Sequence, residues 1–187
     1  MRAPAPAQCV EPASATKEAE VAFAAIAARE GWREATLDRF CVEYGISDAQ
    51  RRLRWPEGIR TIGWRLNELA DATMLSHLKR SGPLPLSEVL HRRFRDNEPL
   101  RRSVRRLACS DAFHPLDTWV RTARTADLMW QCQDEPLSAS DSRLRLRRWA
   151  LVILYSGCVI VWLAERPGRG KALRAAIRLT IIALGAR

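Results

Sequence analysis

Histidine and paired cysteines are scarce in this chain, and each scarcity excludes a class of site. The three histidines stand apart at His77, His91 and His114. The five cysteines lie at positions 9, 41, 109, 132 and 158, an odd number without any Cys-x-x-Cys spacing. Clustered zinc ligands and a disulfide framework are therefore not expected. A reducing cytoplasm fits this pattern.

Motifs that carry catalysis are also missing. The sequence has no Gly-rich phosphate loop, no Gly-x-Ser-x-Gly and no His-Glu-x-x-His. Cys109 and His114 come closest to a nucleophile and base, but the residues between them are typical of a helix end. We therefore expect no enzyme, no catalytic residue and no metal site.

Lysine is nearly absent, yet the chain is strongly basic. It occurs only at positions 17, 79 and 171, while the formal net charge of the 187 residues is +10. An arginine-rich surface suits nucleic acid or an anionic membrane face. A GC-rich genome would produce the same composition, so charge alone leaves both interpretations open.

Helical periodicity dominates what is present. Ala, Leu, Arg and Glu are abundant, and runs of Val, Ile and Thr bounded by turn residues are few. The predicted fold class is all-α. The predicted helices are Lys17–Glu30, Arg33–Tyr44, a third capped by Ser47 and ending at Trp55, Glu57–Arg80, Leu86–Arg95, Pro99–Ala108, Pro115–Gln133, Ser140–Glu165 and Lys171–Leu184.

Three segments follow from this pattern. Residues 1–16 are predicted to be a disordered tail, because they are rich in Ala and Pro. Residues 17–56 outline a three-helix unit of helix-turn-helix type, with a basic third helix. Residues 57–187 are predicted to form a helical domain for ligand binding and dimerisation.

A long apolar run lies near the C-terminal end. No charge occurs from Trp149 to Ala164, and charged residues flank the run on both sides. It is shorter than the roughly 20 residues that span a bilayer. We therefore expect a helix of the core or of an interface rather than a transmembrane span.

Three separated stretches resemble a known family. The first runs from Gly31-Trp32 through Gly45-Ile-Ser47, and the second is Trp55-Pro-Glu-Gly58. The third contains Asp127-x-Met-Trp130, Ser140-Asp141 and Arg147-Arg-x-x-Leu-x-x-x-Tyr155. Together they resemble the COQ9 family of ubiquinone-biosynthesis accessory proteins, over about residues 18–184.

This resemblance implies a TetR-like helical fold, a homodimer and a bound lipid or quinone precursor. It implies that the lipid is presented to a membrane-associated hydroxylase, by a cytoplasmic protein peripheral to the inner membrane. No other cofactor is expected. The residues expected to line the lipid pocket are Leu66, Leu69, Trp119, Met129, Leu151 and Tyr155.

The resemblance also implies a partner surface in the C-terminal signature. Its expected residues are Asp127, Trp130, Asp141, Leu144, Arg145 and Arg148. Leu144 and Arg145 stand where the family has an aromatic pair. The alternative function is a TetR-like transcription regulator, in which Arg51, Arg52 and Arg54 of the third helix would contact DNA. Because Trp55-Pro56 ends that helix early, we expect nucleic acid binding less than lipid binding.

Overall fold

A computed structural model of the chain describes residues 13–82, 84–110, 114–131, 142–166 and 170–185. Every regular element in these ranges is helical, which confirms the all-α prediction. The helices are α1 Ala13–Glu30, α2 Glu34–Glu43, α3 Asp48–Arg54, α4 Ile59–Ser81, α5 Leu86–Asp96, a 3-10 turn Glu98–Leu100, α6 Arg101–Ala108, α7 Pro115–Gln131, α8 Ser142–Ala164 and α9 Lys171–Leu184.

The helix ends follow the predicted signals closely. Ser47 caps α3, since its hydroxyl accepts from the backbone N–H of Gln50 while the Gln50 side chain accepts from the backbone N–H of Ser47. At the other end of the unit, α1 begins at Ala13, a turn before Lys17. The predicted disordered tail therefore does not reach Thr16, because alanine favours continuation of the helix.

An aromatic core joins α1, α2 and Trp55, the residue after α3, to α4 and α6. Phe23 contacts Trp32 edge-on at 5.4 Å between ring centroids, and it contacts Phe40 at 5.6 Å. The indole of Trp32 donates to the backbone carbonyl of Ser103 in α6 at 2.9 Å. This core continues past residue 56 into α4, where Ile62 is fully buried.

A second core lies among the C-terminal half of α4 and helices α5, α7, α8 and α9. Its most deeply buried side chains include Leu90, Met129, Leu151 and Ile177. Burying such side chains contributes about 1.5–3 kcal/mol each relative to exposure. Helices α8 and α9 pack along each other and close this side of the molecule.

Helix α8 is half inside this core and half outside. Leu151, Tyr155 and Cys158 face inward, whereas Ile153 and Ile160 are exposed. The segment Leu146–Ala164 is long and apolar enough to cross a membrane by length and composition, and 28% of its most apolar window is buried in the fold. Core helices of soluble proteins meet the same criterion, so this property alone does not place α8 in a membrane.

Candidate functional site

A cavity of about 430 Å³ lies where the two cores meet. A volume of this size falls in the range of small-ligand sites, which are mostly apolar with a few placed polar groups. Its apolar walls come from α4 to α8 and from Trp32. They include Leu66, Phe94, Leu100, Val104, Leu107, Val159, Trp162 and Leu163.

Exposed side chains of α7 and α8 border the cavity. Trp119 and Ile160 line it and are 41% and 67% exposed. The indole of Trp119 stacks on that of Trp149, with centroids 6.3 Å apart and rings inclined by 17°. Apolar side chains therefore surround the route from the surface into the cavity.

One wall of the cavity is polar and carries a buried ion pair. The Arg93 guanidinium is buried, with Nη1 2.7 Å from Asp71 Oδ1, and its Nε donates to the Tyr155 hydroxyl at 3.2 Å. Asp71 also accepts from the Thr125 hydroxyl at 3.0 Å and from the Asn67 amide at 3.2 Å. Burial raises the pKa of Asp71, which Arg93 and Thr125 partly counteract. The network joins α4, α5, α7 and α8.

A second guanidinium, that of Arg121, lies on the wall between α7 and α4. Its Nη2 donates to the Thr118 hydroxyl at 3.1 Å, and its central carbon lies 5.3 Å from the Trp64 ring centroid. The backbone of Gly63 leaves room for it, since a Cβ there would lie 3.3 Å from Arg121 Nη1. Burial lowers the pKa of Arg121.

The six residues expected to line a lipid pocket fall into two groups. Leu66, Trp119 and Tyr155 line the cavity. Met129 and Leu151 are fully buried in the second core, and Leu69 is half-buried in α4 away from the cavity wall. The structure therefore brings half of the expected set to one site.

The expected partner surface is described only in part. Asp127 and Arg148 form a bidentate ion pair between α7 and α8, and Trp130 packs against the second core. Asp141 and the side chains of Leu144 and Arg145 lie outside the described residues. The ion pair fixes the start of α8 against α7.

The three arginines of the DNA-binding alternative occupy different settings on α3. Arg51 is held by two carboxylates of α2, with Nη2 2.6 Å from Glu34 and 3.2 Å from Asp38. Arg52 is exposed, and Arg54 is half-buried. A guanidinium already bound to two carboxylates is poorly placed to reach a phosphate.

Sequence reasoning missed the two arginines of the cavity. A signal for Arg93 was present, because Leu86, Val89, Leu90, Arg93 and Phe94 follow the spacing of a single helix face, and all five are buried. Arg121 is one turn after Thr118 on α7 but carried no comparable signal. Its role depends on Gly63, a distant position that sequence alone does not bring near it.

No protein-family model matches the chain, and a search of curated proteins returns no match. Within the part of the chain that the structure describes, no three His, Cys, Asp or Glu side chains are grouped so as to hold a metal ion.

Proposed function

We propose that this protein binds a lipid chain in the cavity between its two cores and acts as a non-enzymatic accessory protein. The single observation that carries the proposal is the 430 Å³, mostly apolar cavity that the exposed side chains of Trp119 and Ile160 border. A dry core would fill such a volume, because protein interiors pack to high density. An acyl or prenyl chain supplies the missing contacts.

The pathway is proposed from the resemblance in the C-terminal signature. Under this proposal the protein serves ubiquinone biosynthesis and presents a quinone precursor to a membrane-associated hydroxylase. Its location is the cytoplasmic face of the inner membrane. The exposed apolar side chains at the cavity mouth support this arrangement, since they surround the route that a lipid leaving a bilayer would take.

The test is the lipid content of the purified protein, measured by organic extraction and mass spectrometry. We expect the unaltered chain to retain lipid and Val159→Phe to retain several-fold less, because Val159 lines the cavity and a phenyl ring would occupy it. Val42→Phe is the matched control, since Val42 is 81% exposed on α2.

The identity of the lipid separates the two parts of the proposal. A prenylated aromatic compound supports the quinone pathway, whereas fatty acid or phospholipid alone supports lipid binding without it. Equal lipid content in the two variants would contradict the cavity as the binding site. The DNA-binding alternative has less support, because Arg51 is committed to Glu34 and Asp38.

A further inference from the structure

The charges on the cavity wall do not balance. The lining side chains include two guanidinium groups, Arg93 and Arg121, and no carboxylate among the described residues. The charge of Arg93 is neutralised by Asp71, which does not line the cavity and whose Oδ1 lies 2.7 Å from Arg93 Nη1. The excess positive charge of the wall is therefore that of Arg121.

The carboxylate nearest to Arg121 along its helix is already engaged. Asp117, one turn earlier on α7, accepts from Arg60 Nε at 2.5 Å and from Arg60 Nη2 at 2.8 Å. Thr118 and the Trp64 ring are the polar and aromatic contacts that the described residues give Arg121. Neither contact carries a formal negative charge. The Asp117 carboxylate raises the pKa of Arg121 through space, but it is shared with Arg60, so two guanidinium groups face one carboxylate.

Bringing a charge out of water costs free energy unless an opposite charge or several hydrogen bonds compensate it. Burial lowers the pKa of Arg121, because removal from water disfavours the charged form of the side chain. The planar guanidinium suits a carboxylate or a phosphate, because it presents parallel donors to two oxygens. A ligand with an anionic head would offset the cost.

We propose that Arg121 is the anchor for the anionic head of an amphiphile whose apolar chain occupies the cavity. The inference rests on the proposed lipid binding and adds the chemical class of the ligand. A fatty acid carboxylate and a lipid phosphate share the required chemistry. Gly63 contributes by leaving space for the guanidinium against α4.

The test compares ligands with one chain and different heads. Decanoate, decyl phosphate, 1-decanol and inorganic phosphate are titrated into the delipidated full chain by calorimetry at about pH 8, where the anionic heads are charged. We expect decanoate to bind about tenfold more tightly than decanol, as one charge-assisted hydrogen-bonded pair supplies. Arg121→Gln should remove that preference and leave the affinity for decanol unchanged.

Arg124→Gln is the matched control on the same helix. Arg124 pairs with Glu68 at 3.1 Å on the exposed side, so this variant should keep the preference for decanoate. Arg121→Lys retains the positive charge and should therefore keep part of the preference for decanoate over decanol. Circular dichroism of each variant checks that the helices form before the titrations are compared.

Three outcomes would overturn the anchor. The first is that the unaltered chain binds decanol and decanoate with equal affinity. This result would contradict the anchor irrespective of the variants, but it would be compatible with lipid binding in the cavity. The second is an equal loss of both ligands in Arg121→Gln. The third is inorganic phosphate binding as tightly as decyl phosphate, which would reveal a simple anion site. Failure of every chain-bearing ligand to bind would instead contradict the proposed function itself.

Discussion

Arg93 and Asp71 form the buried ion pair on which the cavity wall depends. We predict that Arg93→Met lowers the free energy of unfolding by about 3–5 kcal/mol, because it leaves the Asp71 carboxylate buried without its counter-charge. Thr125 and Asn67 would remain as its hydrogen-bond donors. Urea unfolding followed by circular dichroism measures the change.

The double variant Asp71→Asn/Arg93→Met is the control for this prediction. It removes both charges and should recover part of the lost stability, whereas simple additivity of the two single changes would contradict a coupled pair. The effect also depends on pH. The pKa of folded Asp71 is raised by burial, and loss of Arg93 removes a charge that lowers it.

A carboxyl group whose pKa is higher in the folded chain than in the unfolded chain holds its proton more tightly when folded. Its contribution to stability is therefore greatest below the unfolded pKa and is lost as the pH rises through the folded pKa. The deficit of Arg93→Met should accordingly be smaller at about pH 4 than at about pH 7. A deficit that grows toward low pH would contradict this assignment.

At the residue scale, the sequence predicts which residues are buried, but it does not predict which of them line the cavity and which fill a core. Met129 and Leu151 are buried as their helical spacing indicates, but they fill the second core. Tyr155 lies one turn beyond Leu151 on α8 and reaches the cavity. Both positions satisfy the same apolar period, so only the packing of α5 and α7 against α8 distinguishes a core position from a wall position.

At the scale of elements, Glu34 joins α2 and α3 to the start of α4. It begins α2, binds Arg51 of α3 and accepts from the backbone N–H of Ile59, the first residue of α4, at 3.1 Å. Gly58 precedes α4 with φ +57°, and a Cβ there would lie 2.3 Å from Glu34 Oε1. The glycine thus permits both the turn and the approach of the carboxylate.

We predict that Gly58→Ala destabilises the fold more than Gly45→Ala does. Gly45 has φ +64° with nothing within 4 Å of a Cβ, so its replacement carries only the left-handed strain of about 1–2 kcal/mol. At position 58, φ +57° and ψ −131° lie outside the left-handed helical region, so the backbone strain is larger, and displacement of Glu34 should add about 1.5–3 kcal/mol from a lost charged hydrogen bond. Equal unfolding midpoints for the two variants would contradict a role for Glu34 at this junction.

The positions of the helices are the feature of this structure that the sequence predicts best. Gly31, Gly45 and Ser47 mark helix ends that the structure reproduces, because each acts through local backbone geometry or capping. The 3-10 turn Glu98–Leu100 before α6 was not predicted, since Pro99 is equally compatible with the first turn of an α-helix. Short-range rules therefore located the helices but not their mutual arrangement.

At the scale of the whole molecule, the cavity results from two cores that meet incompletely. Trp32, Leu66 and Leu107 reach it from the first core, and Tyr155 and Trp162 reach it from the second. The bulky rings stand at its edge, so neither core fills the space between them. This arrangement depends on contacts between distant parts of the chain, and no single stretch of sequence encodes it.

The outer faces of α8 and α9 carry apolar side chains that the fold leaves exposed. On α8 these include Leu146 and Ile153, seven residues apart on one helix face and away from the cavity lining, and on α9 they are Leu179 and Ile182. Gly157 lies on the same face of α8 with open space beside it, which favours close approach of another helix. A second copy of the chain presents the same exposed apolar side chains, so the faces of two copies can cover each other.

We therefore predict that the protein forms a homodimer through α8 and α9. Ile153→Arg should shift the dimer to the 21.2 kDa monomer, because association would bury a guanidinium that has no partner. Leu53→Arg is the matched control, since Leu53 is 83% exposed on α3, and it should leave the dimer unchanged. Sedimentation velocity measures both. An unaltered chain that sediments as a monomer and binds anionic vesicles through Ile153 would contradict the dimer and assign this face to a membrane surface.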